Sequence, residues 1–263
     1  MTGAPSPLFY DPMGMILLLV ALALLPFVAM MVTSFIKLVV VMNLLRQAIG
    51  LQQVPPNMVI NGLAVVLTLY IMAPTLQESV QRISETHSVL EARKNQPNTF
   101  TLPPHIQTFL KKPSNPDWNS SMITGLFKES NRNKVAELQA ILDYTKQPLV
   151  DFLSRHTTDK HRAFFIHIAK KLWPPSYLKD LKETDLVICI PAFVISELTA
   201  GFEIGFLIYL PFVTIDLIVS NILLAMGMMM VSPMTISLPF KLMLFVLING
   251  WDKIVEALAL TYR

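Results

Sequence analysis

Residues 13–45 form an apolar run interrupted, apart from the hydroxyls of Thr33 and Ser34, only by Lys37 and Asn43. As a helix rising 1.5 Å per residue, such a run would be about 50 Å long, while the hydrocarbon core of a bilayer is about 30 Å thick. A segment of this length and apolarity places the chain in or against a membrane. Pro26 lies inside it and removes one backbone donor, which predicts a kink or a tilted, protruding helix. The start could pass for a secretion signal. However, the twelve residues before it hold no Lys or Arg and carry Asp11, so the basic n-region is missing and the segment is expected to be retained.

The charge distribution agrees. Only 15 % of the 263 residues are charged, against about 25 % in soluble domains. Residues 77–183 hold 16 Lys/Arg and 11 Asp/Glu, leaving 12 charges for the other 156 residues. The chain is polar in the middle and apolar at both ends. In the connector 46–57, Gly50 can end a helix and Pro55-Pro56 forbid its continuation, so the chain turns back. Residues 58–76, with Pro74 near their end, then form a second span. Pro97, Pro103, Pro104, Pro113 and Pro116 predict a loop over 95–119. Helical spacing follows at Val135, Leu138, Ile141 and Leu142, resumes at Leu149, Phe152 and Leu153 after Pro148, and recurs at Phe164, Phe165, Ile168 and Leu172. In 186–260, Pro191, Pro211, Pro233 and Pro239 mark off stretches of about 20 residues, each a span or half of a broken helix. The expected fold is an all-α, multi-helix membrane protein. It would have an N-terminal segment (1–12), a first helical hairpin (13–76), a polar, mostly helical domain (77–185) and C-terminal hydrophobic helices (186–263).

Catalytic chemistry finds no footing in these residues. His156, His161 and His167 are five and six apart, so they do not share a helix face as the ligands of HExxH do, and they read as surface histidines. Cys189 is the single cysteine, which excludes an intramolecular disulfide and a CxxC pair. Neither a GxxxxGK[ST] nor a GxGxxG loop is present, so no cofactor, metal ligand or catalytic residue is assigned. The net charge of +3 is not interleaved with aromatic residues, which argues against nucleic-acid binding.

The informative residues are those an apolar segment ought not to contain. Lys37, Glu197, Glu203, Asp216, Lys241 and Asp252 each cost roughly 2.5–3.5 kcal/mol or more if left unpaired in hydrocarbon, so each must face protein or water. They could line a conduction path or relay protons, or they could pair to hold helices or subunits in register. Ala192, Ser196 and Ala200 recur every fourth residue and Gly201 to Gly205 is a GxxxG, which lets helix backbones approach closely, within one chain or between copies. Met226, Met228, Met229 and Met230 flank Gly227. Unbranched, polarizable side chains suit irregular or changing surfaces. The cluster is either core filler beside a glycine turn or a deformable constriction that seals a pore.

Three blocks, TSFIKLVVVMNLLRQAIGLQQVPPNMV (33–59), PAFVISELTAGFEIGF (191–206) and GMMMVSPMTISLPFKLMLFVLINGW (227–251), resemble the FliP/SctR (YscR, HrcR) proteins of the type III export apparatus. GLQQVPPNMV is closer to the injectisome branch than to the flagellar one. The resemblance implies a multi-pass protein of the bacterial inner membrane and a core subunit of the gate through which unfolded secreted proteins leave the cytoplasm. It implies a homo-oligomer, a pentamer, joined by SctS/FliQ-like and SctT/FliR-like subunits and by a SctU/FlhB-like switch protein, in contact with membrane lipid. Carried onto this chain, Met228, Met229 and Met230 would line a closing gasket, and Lys37, Glu197, Glu203 and Lys241 would make intersubunit contacts. The polar domain would lie in the periplasm. Arg82, Arg93, Lys94, Lys170, Lys171, Lys179 and Lys182 flank the spans on that side, against the charge rule, but translocated domains longer than about 60 residues escape it.

Two other classes remain. A proton-coupled secondary transporter of small solutes would use Glu197, Glu203 and Asp216 at the midplane and predicts repeat symmetry between the two apolar regions. A membrane enzyme would need a nucleophile or metal constellation, and the residues offer none.

Overall fold

The computed structural model describes residues 12–51, 55–95, 132–178 and 181–263, and these are helical with short connections. In chain order the helices are α1 (Pro12–Met31), α2 (Phe35–Ile49), α3 (Asn57–Asn95), α4 (Arg132–His156), α5 (Asp159–Leu172), the single turn α6 (Pro175–Leu178), α7 (Leu186–Ala225), α8 (Pro233–Leu247) and α9 (Gly250–Leu260). Residues 1–11, and residues 96–119 of the expected loop, lie outside the described residues.

The apolar segments break at places other than the prolines. Pro26 sits inside α1, and the break falls instead at residues 32–34, where the axis turns by 66° between Leu22–Met31 and Phe35–Ile49. Pro74, Pro148, Pro191, Pro211 and Pro239 are likewise carried inside helices, whereas Pro233 marks the start of α8. The division of 186–260 at Pro191, Pro211 and Pro239 is therefore corrected. One 40-residue helix, α7, passes two prolines and extends about 60 Å. A proline costs one backbone bond, and neighbouring helices can re-satisfy the freed carbonyl. The second span is also longer than expected, because α3 runs on past Leu76 into the charged region.

The true ends carry local signals. Gly50, at φ 92°, closes α2: its N–H donates to the Gln47 carbonyl and the Leu51 N–H to that of Arg46, a Schellman cap in which only glycine takes the left-handed position without strain. Asn249, at φ 50°, separates α8 from α9 with a bend of 61°. Asn is among the few side chains that tolerate this region.

α2 is the axis of the fold, with its most extensive contact along α7. Its buried side chains feed two clusters. Leu38, Val41 and Met42 join Ile60 and Ala64 of α3 and Leu258 of α9, while Leu45, Ala48 and Ile49 join Phe212 of α7 and Phe245 of α8. Each fully buried large aliphatic contributes about 1.5–3 kcal/mol relative to exposure. A third cluster, Val32, Met72, Phe152, Leu153, Cys189 and Phe193, fastens α4 to the apolar helices. The upper part of α3 holds α4 through polar contacts. The Tyr144 hydroxyl donates to Glu85 at 3.0 Å and the Arg82 guanidinium donates to the Tyr144 carbonyl at 3.2 Å. Burial, with the Glu85 carboxylate beside it, pushes the Tyr144 phenol above the usual tyrosine range, so it stays a donor.

Among the described residues two helices, Asn57–Thr86 of α3 and α7, are long and apolar enough to cross a membrane, or up to four spans if each bent pair counts as one. Their outer faces are not covered by the described residues: Val59, Val66, Leu69 and Tyr70 of α3, and Phe202, Phe206, Leu207 and Leu217 of α7, are exposed.

Candidate functional site: the methionine tip and its charged supports

The methionine segment is the crown of the α7–α8 hairpin. α7 ends in a second Schellman cap. The Gly227 N–H donates to the Leu224 carbonyl and the Met228 N–H to the Leu223 carbonyl, both at 3.0 Å, with Gly227 at φ 72°. Pro233 occupies the first position of α8, where its missing N–H is no loss. The tip is thus suspended between two defined helix ends. Met226 and Met228 are exposed, Met229 is 82 % exposed and Met230 wholly so. The filler reading would have buried them. Instead no described residue of the chain covers them.

Below the tip the two arms are fastened together. Lys241 of α8 donates to Asp216 of α7 at 2.5 Å, and the Ser237 hydroxyl donates to the other carboxylate oxygen at 2.5 Å. Lys241, 3 % exposed, also donates to the Ala48 carbonyl at 3.2 Å. That carbonyl lies in the last turn of α2, where acceptors lack helical partners and the dipole favours a cation. One ammonium therefore fastens α7, α8 and the end of α2, and fixes the height at which the methionines stand.

A second charged knot lies further along α7. Lys37 Nζ is 3.0 Å from Glu197 Oε1, both nearly fully buried. The Tyr262 hydroxyl donates to the other Glu197 oxygen. The Tyr262 ring lies 4.1 Å from Lys37 Nζ and stacks on Phe152 at 6.1 Å between centroids. The C-terminal residues thereby close a buried pair between α2 and α7 and tie it to α4.

The structure divides the residues singled out from the sequence. Lys37 with Glu197, and Asp216 with Lys241, pair within one chain, so none of these four needs a neighbouring copy for its charge. Glu203 and Asp252 are exposed, and no ion pair joins either to a described residue. The small residues face two ways. Gly201 and Gly205 meet α2, where a Cβ on Gly205 would stand 2.2 Å from Leu44 Cδ1. Ala192 and Ser196 are buried and Ala200 is half-buried; Ser196 Oγ accepts the Thr158 N–H at 3.1 Å at the start of α5 and bonds His161 Nδ1 at 2.9 Å. The surface reading of the histidines holds for His167 alone. His161 is half-buried, and so is His156, which packs on Phe152 and Tyr262. No cluster of three potential metal ligands occurs among the described residues.

Sequence reasoning missed Tyr262, Ser237 and the Ala48 carbonyl. Ser237 was within reach, because it lies four residues before Lys241 and shares its helix face. A tyrosine in a terminal turn carries no comparable signal.

The FliP family model matches residues 18–134 and 100–258. The chain is 39 % identical to hypersensitivity response secretion protein HrcR of Ralstonia nicotianae over 95 % of its length and 97 % of that protein's. It is 41 % identical to Yop proteins translocation protein R of Yersinia pestis over 96 % and 97 %. It is 42 % identical to virulence protein YscR of Salmonella typhimurium over 92 % and 93 %. The chain belongs to the FliP family, in the injectisome (SctR) branch that holds these type III secretion proteins.

Proposed function

We propose that this FliP-family chain is a core subunit of the type III secretion export gate, and that several copies, five by the family resemblance, surround a pore for unfolded proteins across the bacterial inner membrane. SctS/FliQ-like and SctT/FliR-like subunits complete the pore, a SctU/FlhB-like protein adjoins it, and the polar domain lies in the periplasm. The mechanism is mechanical, without covalent chemistry. Met226, Met228, Met229 and Met230 from each copy meet at the axis, exclude water and ions when the gate is shut, and yield to a passing chain because thioether side chains adapt at little cost.

The observation that carries this reading is the bare tip on a braced hairpin. Exposed methionines on a loose loop would be unremarkable, but these are set at a defined height by a glycine cap and a three-way lysine clamp. The transporter reading loses ground, because Glu197 and Asp216 are committed to lysines and, of the three acids it needs, Glu203 alone has no ion pair with a described residue. Replacing Met229 by Cys tests the arrangement directly. Cys189 is buried, so the new thiol is the reactive one. Mild oxidation of the assembled complex should join copies in pairs through residue 229. Copies that assemble yet never crosslink there, while the thiol accepts a soluble label, would remove the tips from a common axis.

A further inference from the structure

Glu203 is an ionisable group that the fold leaves unexplained. It points away from the face of α7 that carries Gly201 and Gly205 onto α2, and it is exposed between Phe202, Phe206 and Leu207, themselves 57–65 % exposed. A surface so apolar is built to be covered, and whatever covers it must either neutralise the carboxylate or lose the cost of desolvating it. Lipid tails cannot do this, whereas a polypeptide carrying a cation can.

The cation can be found by elimination within the chain. Its apolar regions hold five: Lys37, Arg46, Lys241, Lys253 and Arg263. Lys37 and Lys241 are held by Glu197 and Asp216. The Arg46 guanidinium donates to the Pro55 carbonyl at 3.2 Å and to Asn57 Oδ1 at 2.6 Å. Arg263 follows Tyr262 and so stands at the level of Glu197, a turn and a half from Glu203 along α7. Lys253 is left. It is 73 % exposed and, among the described residues, pairs only with Glu256 at 3.5 Å on its own helix, an exposed pair of a kind that contributes little. Its neighbour Ile254 packs in the same apolar cluster as Ile204, the neighbour of Glu203, so the two charges flank one cluster from different helices.

We infer that Glu203 of one copy pairs with Lys253 of a second copy of this chain. The inference rests on the reading of the chain as an oligomer-forming subunit. With the outer face of α7 on one copy laid against the flank of α9 on the next, the two charges, each beside the same apolar cluster of its own copy, meet across the contact. There the pair is taken out of water along with Phe202 and Phe206, and the contact discriminates against a misplaced neighbour as well as adding affinity.

The test uses the full-length chain expressed with its export-apparatus partners and extracted in mild detergent. Glu203→Lys and Lys253→Glu should each reduce the assembled fraction by about tenfold or more, and the double exchange should restore it toward that of the parent. Glu203→Cys on one tagged copy should crosslink to Lys253→Cys on a differently tagged copy. Both residues are exposed, so the fold itself is spared. If both single variants assemble like the parent, or if the double exchange does no better than the worse single variant and no crosslink forms, the pairing is wrong although the oligomer stands. A parent that is monomeric in the same extract overturns the oligomer reading, and the pairing falls with it.

Discussion

Among single residues, Lys37, Glu197 and Tyr262 make the largest demand on the fold. Removing two charges from water costs several kcal/mol each, and only good geometry and full hydrogen bonding compensate. Here the carboxylate accepts from both the ammonium and the phenol, and the ammonium rests on an aromatic face. Lys37→Met or Glu197→Leu alone should therefore destabilise the chain by about 3–5 kcal/mol, by stranding the partner, whereas the double replacement should lie much closer to the parent. Unfolding in detergent, followed by protease resistance of α7, measures this. Equal losses in all three variants would contradict the pairing. Both charges were legible in the sequence, since a charge in an apolar run is an anomaly whatever the fold. Their partners were not. Two lysines and four acids permit several pairings, and the residue that completes the knot lies 65 positions from Glu197, beyond any local periodicity.

At the scale of elements, the helices were legible, as was the stop at Gly50, but the prolines misplaced other breaks. Hydrophobic runs and the spacings at Leu149, Phe152 and Leu153 announce α1–α5 and α7, because burial dictates them locally. Proline was the misleading signal. Pro26, Pro191 and Pro211 sit in helices whose neighbours tolerate a lost bond, and the real stops are the left-handed residues Gly50, Gly227 and Asn249. The GxxxG announced a close approach without naming its partner, and α2 proves to be that partner. Gly205→Ala would press a methyl group into Leu44, at 2.2 Å from Cδ1 and 3.1 Å from Cβ, whereas Gly201→Ala meets Val40 at 3.4 Å. The first substitution should force the helices apart at a cost of about 1–3 kcal/mol and the second should be well tolerated. Thermal unfolding of the two variants in the same detergent compares them, and equal melting temperatures would place the tight contact elsewhere.

At the scale of the molecule, the chain folds around α2 and leaves apolar surface outside. Val66, Leu69 and Tyr70 of α3 and Phe206, Leu207 and Leu217 of α7 find no cover among the described residues. The segregation of charge into 77–183 foretold a membrane protein with a polar insert, and the methionines foretold either filler or a seal. Composition could not choose between those two, because a buried and a displayed methionine cluster read alike. Exposure of the tip on a clamped hairpin speaks against filler within the described residues and leaves the seal as the proposal. The central claim is that these methionines close a shared pore, and ion conductance of the assembled complex in a planar bilayer tests it most directly. The parent complex should be silent, and complexes of unchanged size carrying Met228→Ala, Met229→Ala and Met230→Ala together should pass a steady small-ion current. An equally silent triple variant would contradict the account.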